Sequence, residues 1–269
     1  MQNESLILAV KNGLMTALSV VIITYNEEKN IQRCLESVRS LADEIVVVDS
    51  LSTDNTKKIC LEYGARFIEQ SFLGYIEQKN FALDQASNDY VLSLDADEAI
   101  GEKLASSIQK LKNRDTIVDG YRMNRCASYA GRWIRHGTWY PDTKLRLFNR
   151  KKARWGGENP HDKVIPDTAA HIGFLKGDIL HYTYASIEEH ITQMNRFTTI
   201  QAEAMLKSGK KATLFKLLVN PVAAFISGYI IKGGFLDGRD GLLLAKAGAY
   251  ATFIKYMKLW HRQRKPPQL

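Results

Sequence analysis

The chain has 269 residues, 45% hydrophobic and 25% charged, with a net charge of +8 and a pI of about 9.2. That length and apolar content fill one α/β domain with an appended helical segment, or two small subdomains, and no disorder is required. Three cysteines, Cys34, Cys60 and Cys126, are odd in number and lack C-x-x-C spacing, which excludes a disulfide framework or zinc knuckle and implies a reducing cytoplasm.

In chain order, Met1 to Lys11 places an acidic residue before a very short apolar patch, a poor signal peptide, so residues 1–16 read as an N-terminal extension. Leu18 to Thr24 is apolar and β-branched, passes through Tyr25, Asn26 and Glu27, and leads into a helical pattern at Ile31, Leu35 and Val38. Glu44 to Asp49 repeats the plan: a strand ends in a carboxylate and a polar loop, Ser50 to Thr56, opens a helix carrying Ile59 and Leu61. A third run, Tyr90 to Leu94, closes on Asp95, Ala96, Asp97 and Glu98. Strands so uniformly apolar belong to a parallel sheet covered on both faces, and ligands of open α/β sheets sit beyond the carboxyl ends of the strands. Tyr25, Asp49, Asp95 and Asp97 are therefore expected to converge.

Paired carboxylates at a strand end supply hard oxygens for Mg²⁺ or Mn²⁺, with phosphate oxygens and water completing the shell. One D-x-D is expected about once by chance in such a chain, and Asp95 or Asp97 would equally serve as the N-cap of a helix over 98–110. No G-x-G-x-x-G follows the first strand and no P-loop pattern occurs, which argues against a dehydrogenase and a P-loop NTPase. The acidic loop 24–28 repels a triphosphate, which disfavours a sugar-nucleotide nucleotidyltransferase.

Four motifs in this order and spacing, Thr24-Tyr-Asn-Glu27, Val47-Val-Asp-Ser-Leu-Ser-Thr-Asp-Asn-Thr56, Gln78-Lys-Asn-Phe-Ala82 and Leu94-Asp-Ala-Asp-Glu98, resemble the inverting glycosyltransferases of family 2. The resemblance implies a GT-A fold: α/β, with a mostly parallel central sheet flanked by helices. It implies a catalytic domain over 17–185, divided into a donor half, 17–110, and an acceptor half, 111–185, with a basic helical segment over 186–269. Thr24, Tyr25, Glu27, Asp49, Ser50, Lys79 and Asp95 would bind a nucleotide-sugar donor, UDP-linked by resemblance, and Asp97 with Asp95 would hold Mg²⁺ or Mn²⁺. Two positions depart from the family pattern. Ser50 stands where many members carry an acid that bonds the base, and Leu51 replaces the usual glycine, which makes a positive φ unexpected there.

An inverting transfer needs a general base beside the acceptor hydroxyl. The stretch Trp155 to Lys163, with Gly156-Gly157 and Asn159-Pro160, is expected to be a loop. Family members carry a His followed by an acid here, so the resemblance assigns the base to Asp162 beside His161, with Glu158 in reserve. Asp162 as a plain turn residue is the structural alternative. Lys144 and Arg146 alternate with Leu145 and Leu147, as in a strand with one cationic face; they could meet an anionic acceptor or the pyrophosphate, or form the solvated face of an edge strand. Trp133, Trp139, Tyr140 and Trp155 suit either sugar stacking or core packing.

Residues 207–269 hold twelve Lys plus Arg against two Asp, a net of +10, so the other 206 residues sum to −2. Ser186 and Glu189 form a capping box for a helix with Ile187, Ile191 and Met194 on one face and Gly209 past its end. Leu214 to Ile231 is apolar but interrupted by Lys216, Asn220 and Pro221, and Phe253 to Lys265 mixes cations with aromatics. Neither reads as a clean membrane span; a peripheral basic helix on an anionic leaflet, or packing on the catalytic domain or a second subunit of an oligomer, accounts for both. Gly233 to Gly241 resembles a segment of the lipopolysaccharide-core subgroup, which implies a lipid-linked glycan acceptor such as inner-core heptose, glucose as the sugar and work at the cytoplasmic face of the inner membrane. Capsule, polyprenyl or protein-linked acceptors are the alternatives, and no nucleic-acid-binding pattern is present.

Overall fold

The computed structural model describes residues 16–114, 117–158 and 161–264, so the N-terminal extension lies outside the described residues. The chain forms two compact units: unit 1 comprises residues up to Arg125 together with Thr143–His181, and unit 2 comprises Cys126–Asp142 with Tyr182 onward.

Unit 1 begins as the apolar runs dictate. Strand β1 (Leu18–Thr24), helix α1 (Ile31–Val38), β2 (Glu44–Asp49), α2 (Thr56–Glu62), β3 (Arg66–Glu69), α3 (Tyr75–Gln85) and β4 (Tyr90–Asp95) follow in sequence. β1 pairs in parallel with both β2 and β4, and β2 with β3. Alternate residues of β1 enter different cores: Val20 and Ile22 pack with Ile31, Leu35 and Val38 of α1, whereas Val21 packs with Ala82 and Leu83 of α3. Burial on both faces is why this strand is apolar throughout.

The sheet then changes character. β5 (Glu98–Ile100), α4 (Glu102–Lys112), β6 (Gly120–Tyr129), β7 (Arg132–Trp133), β8 (Asp142–Asn149), β9 (Ala153–Glu158), β10 (His161–Pro166) and β11 (Ile172–Tyr184) complete the strands. Their order is β3-β2-β1-β4-β8-β6-β11-β5, with β4–β8 and β5–β11 antiparallel. The α/β architecture is as expected, but the sheet is mixed, its parallel part ending at β4.

Three local expectations are corrected. Helix α4 starts at Glu102 with Gly101 as N-cap, so neither Asp95 nor Asp97 caps it. The stretch from Trp155 is a hairpin of β9 and β10, because its residues pair in register from Ala153↔Pro166 to Glu158↔His161. β8 lies between β4 and β6 with Arg146 buried, which removes the solvated edge-strand reading.

Unit 2 contains α5 (Ile187–Lys207), α6 (Leu214–Ile226), a π-helical turn (Ser227–Ile231), a 3₁₀ turn (Gly234–Asp237) and α7 (Gly238–Gln263). Ser186 caps α5 as expected, its Oγ accepting from Glu189 N at 3.2 Å, while the Glu189 carboxylate accepts one residue before the cap, from Ala185 N. The buried side of α5 is His190, Met194, Thr198 and Ala202, while Ile187 and Ile191 stay exposed. α5 and α6 both pack on α7. The basic tail is also turned partly inward: Lys258 donates to Asn195, Thr198 and Thr199 of α5, and Arg262 pairs with Glu203 at 2.9 Å.

Candidate active site

Register alone assembles the first half of the site. Thr24 is paired with Asp49, and Ile23 with Asp95, so three parallel strands end side by side. Their loops are then stitched together. Asn26 N–H donates to Ser52 Oγ at 2.7 Å, Asn26 Oδ1 accepts from Thr53 N–H at 2.8 Å, and Glu28 N–H donates to Asp54 Oδ2 at 3.0 Å. Asp49 is buried, and its carboxylate accepts from both the backbone N–H and the hydroxyl of Ser52. These bonds draw the turn tight and place Leu51 at φ +65°, contrary to the expectation for a side chain there. The left-handed conformation costs roughly 1–2 kcal/mol, which the Asp49–Ser52 bonds offset, and the Leu51 side chain avoids a clash by pointing to solvent.

Tyr25 lies at the tip of β1 with its ring exposed. Ser50 Oγ accepts from Gln78 Nε2 at 3.1 Å, while Gln78 Oε1 and Thr24 Oγ1 are buried with no hydrogen-bond partner among the described residues. Burial raises the Glu27 carboxyl above its usual range, a bond from Asn30 opposes this, and the charge of Asp97 adds to the rise.

Under this rim lies a buried charge network. Lys79 of α3 places Nζ 2.7 Å from Asp162 Oδ2 and 3.1 Å from Asp95 Oδ1. Arg146 of β8 reaches Asp95 Oδ2 at 3.2 Å and Glu98 Oε1 at 2.9 Å, and Arg125 adds a contact to Glu98 at 3.2 Å. Glu98 Oε2 also accepts from Asp95 N–H, which fixes the turn after β4. Burial works to raise the Asp95 carboxyl, but Lys79 and then Arg146 outweigh it and hold the group well below the usual carboxylate range. Arg146 responds in kind: burial favours its neutral form, and Glu98 and Asp95 overcome this to keep it charged. The Trp155 ring roofs both cations, 4.3 Å from Lys79 Nζ and 5.2 Å from the Arg146 guanidinium carbon. Reciprocal bonds between the Asn80 side chain and the Trp155 backbone, 2.9 and 3.1 Å, fasten β9 to α3. Of the aromatics singled out in the sequence, Trp155 is the one that joins this network.

Asp97 stands apart from the cations. Its Oδ2 is 3.1 Å from His181 Nε2 on β11, and its side chain is partly open to solvent. The pairing of His181 with Glu98 across β11 and β5 puts the imidazole there. Lys144 is partly exposed on β8, whereas the side chains of Glu158 and His161 lie outside the described residues. His181, Glu98 and Arg125 were not singled out as site residues by sequence reasoning. Glu98 had a usable signal as the last acid of the D-x-D-E string; His181, 84 positions from Asp97, had none.

Known proteins place this chain in a family. An uncharacterized glycosyltransferase of Rickettsia typhi is 34% identical over 256 residues, covering 91% of this chain and 87% of that protein. The lipopolysaccharide core biosynthesis glycosyltransferase LpsC of Rhizobium meliloti is 31% identical over 252 residues, covering 91% and 92%. Among solved structures, the mannosyltransferase PcManGT of Pyrobaculum calidifontis, in complex with GDP-Man and Mn²⁺, aligns at 16% identity over 91% of this chain and 86% of its own, with a TM-score of 0.49. The profile of glycosyl transferase family 2 matches residues 19–172, which span the strand ends, Lys79, the D-x-D, Arg146 and Asp162. The chain is a glycosyltransferase and belongs to glycosyl transferase family 2.

Proposed function

We propose that the chain is a metal-dependent inverting hexosyltransferase, peripheral on the cytoplasmic face of the inner membrane, that moves glucose from UDP-glucose to a lipid-linked glycan such as lipopolysaccharide inner-core heptose. The observation that carries this reading is the meeting of Asp95, Lys79, Arg146 and Asp162 beside the ends of β1, β2 and β4, with Asp97 on the turn that follows β4. The relative named for lipopolysaccharide core biosynthesis supports the acceptor class.

The residues fit a divalent cation unequally. Among the described residues no group of three His, Cys, Asp or Glu is disposed to hold a metal. One or two protein ligands suffice, however, when a diphosphate and water supply the rest. Asp97 has an imidazole as neighbour and an open side, which suits that role, with His181 as second ligand; imidazole accords better with Mn²⁺ than with Mg²⁺. Asp95 was expected to share the metal, but its oxygens face Lys79 and Arg146, so its part is to hold those cations and to face the ribose. The bound cation offsets charge developing on the departing diphosphate.

The protein's own groups do the remainder. Tyr25 offers a ring to the base, and Ser50, Gln78 and Thr24 offer polar atoms beneath it. Lys79, shared by Asp95 and Asp162, is positioned to exchange a carboxylate for a phosphate oxygen. Asp162 then takes the acceptor proton as the new glycosidic bond forms, a contribution of about 10²- to 10⁴-fold. Trp155 keeps water from the two cations, which strengthens their pull on the diphosphate.

Calorimetry with UDP, GDP and CDP, each with and without Mn²⁺, tests the donor site. Metal-dependent binding of UDP is expected; equal binding in a chelator removes the metal, and a preference for GDP removes the uracil assignment. Release of pyrophosphate from a nucleoside triphosphate would replace the reading with a nucleotidyltransferase.

A further inference from the structure

We propose that helix α6 is a membrane-docking element that lies in the plane of an anionic bilayer surface with its outer apolar stripe inserted. The inference rests on the acceptor being lipid-linked, and it places the contact on α6 instead of the basic tail, whose Lys258 and Arg262 are engaged on α5.

Helix α6 has apolar residues on both sides and buries none of them. Its inner side packs on α7. Its outer side carries Leu214, Phe215, Leu218, Val222 and Ile226 at helical spacing, continued by Ile230 in the following turn, and all are exposed; Phe215 is 71% exposed and Val222 58%. Ile231 and Phe235 extend the same exposed surface. A contiguous apolar stripe of this length marks a docking site, because isolated surface leucines are ordinary and an unbroken row of them is not.

Charge selects the occupant. Lys207, Lys210, Lys211, Lys216 and Lys232 precede, interrupt and follow the stripe in sequence, and no Asp or Glu occurs from Lys207 to Leu236. The next acids are committed elsewhere in unit 2. Asp237 accepts from the backbone N–H groups of Arg135 and His136 and pairs with the His136 ring at 2.8 Å, and Asp240 faces Arg132 at 3.5 Å. Apolar insertion beside lysines, in a stretch without acids, is the pattern that binds anionic headgroups. A second copy docked by the same stripe would bring two sets of lysines together. A crossing is also disfavoured, although Leu214–Ile231 is long and apolar enough by length and composition to span a membrane. Lys216 lies near its start, Asn220 and Pro221 lie mid-run, and α7 covers one side, so lipid meets a single face.

Flotation of the full chain with vesicles tests this, using phosphatidylcholine alone and phosphatidylcholine with phosphatidylglycerol. The protein should float only with the anionic vesicles, and less in high salt. The double variant Phe215→Glu/Leu218→Glu should lose about tenfold or more of that binding, and Lys210→Glu/Lys211→Glu a smaller part. Melting temperature and UDP binding should be unchanged in both, since the altered side chains are exposed. Undiminished flotation of the double variant overturns the proposal, as does resistance of the bound protein to alkaline carbonate extraction, which would mean a span. A wild-type dimer that falls to monomer in the double variant, with no flotation, assigns the stripe to a second copy. Failure of UDP binding with intact flotation would remove the catalytic reading and leave the docking face standing.

Discussion

Unit 1 and unit 2 break the ordinary rule of burial in opposite directions. In unit 1 charges are inside: Lys79, Glu98 and Arg146 are at most 4% exposed around Asp95. In unit 2 apolar groups are outside, with Phe215 and Ile231 more than 70% exposed. A buried polar group and an exposed apolar row are the two informative departures, because each costs stability that an ordinary fold would not give up. The first departure is closed within the protein, since each buried cation meets carboxylates at 2.7–3.2 Å. The second is left open among the described residues, and the bilayer surface proposed above would close it. Catalysis is therefore sought where the charges balance, and docking where the apolar surface does not.

The strongest way to break the catalytic side of this contrast is at the carboxylates nearest the proposed chemistry. Asp97→Ala should abolish Mn²⁺-dependent UDP binding in calorimetry and transfer with it. Asp162→Asn should leave UDP binding intact and lower turnover by about 10²- to 10⁴-fold. Full turnover in Asp162→Asn would move the base to Glu158. His181→Ala gives a graded result, a weakening of apparent Mn²⁺ affinity of about 10- to 100-fold; unchanged affinity would reduce His181 to a hydrogen-bond partner of Asp97.

The balance itself is tested by Arg146→Met, which keeps much of the volume and removes the charge. Asp95 and Glu98 would lose a buried partner, and breaking such a pair costs about 3–5 kcal/mol, readable by urea unfolding. The pH dependence should change as well. The Asp95 carboxyl is held low in the folded protein, so its contribution is complete above the unfolded value near 3.9 and is lost as pH falls below it. Arg146→Met should raise the folded pKa of Asp95 toward the unfolded one and so shrink that acid-dependent loss; an unchanged profile would mean that Lys79 alone holds Asp95.

How much of this was legible depends on the range of the forces involved. β1, β2 and β4 announce themselves because both faces are buried, so Val20 to Ile23 and Val46 to Val48 are apolar without a break, and each run stops at a polar residue, Thr24 or Asp49, at the carboxyl end of its strand. The loops after β1 and β2 were readable because each follows such a run directly. Arg146 was not, since a cation alternating with leucines looks the same in an edge strand as in a central one whose partner is a buried acid. His181 and the hairpin around Trp155 depend on antiparallel pairings set by distant segments. Leu51 shows the opposite limit: a local preference against positive φ yielded to two hydrogen bonds that Ser52 donates to Asp49. The tail misled through composition, because a net charge does not say which lysines already have partners.

The smallest effect concerns the aromatic cluster of unit 2. His190 is enclosed by Tyr129, Trp139 and Tyr184, with Nδ1 3.3 Å from the Tyr129 hydroxyl, and burial depresses its pKa below 6.5. Charging the ring there would place a cation in an apolar box, so the unfolded chain takes up the proton first. Above pH 6.5 both states are neutral and stability is complete; as pH falls through 6.5 toward the folded value, stability is lost. Urea unfolding followed by tryptophan fluorescence at pH 7.5, 6.5 and 5.5 should show this decline in the wild type and a flatter profile in His190→Gln. Identical profiles would mean that the ring is hydrated in solution and that burial of His190 does not govern the acid stability of unit 2.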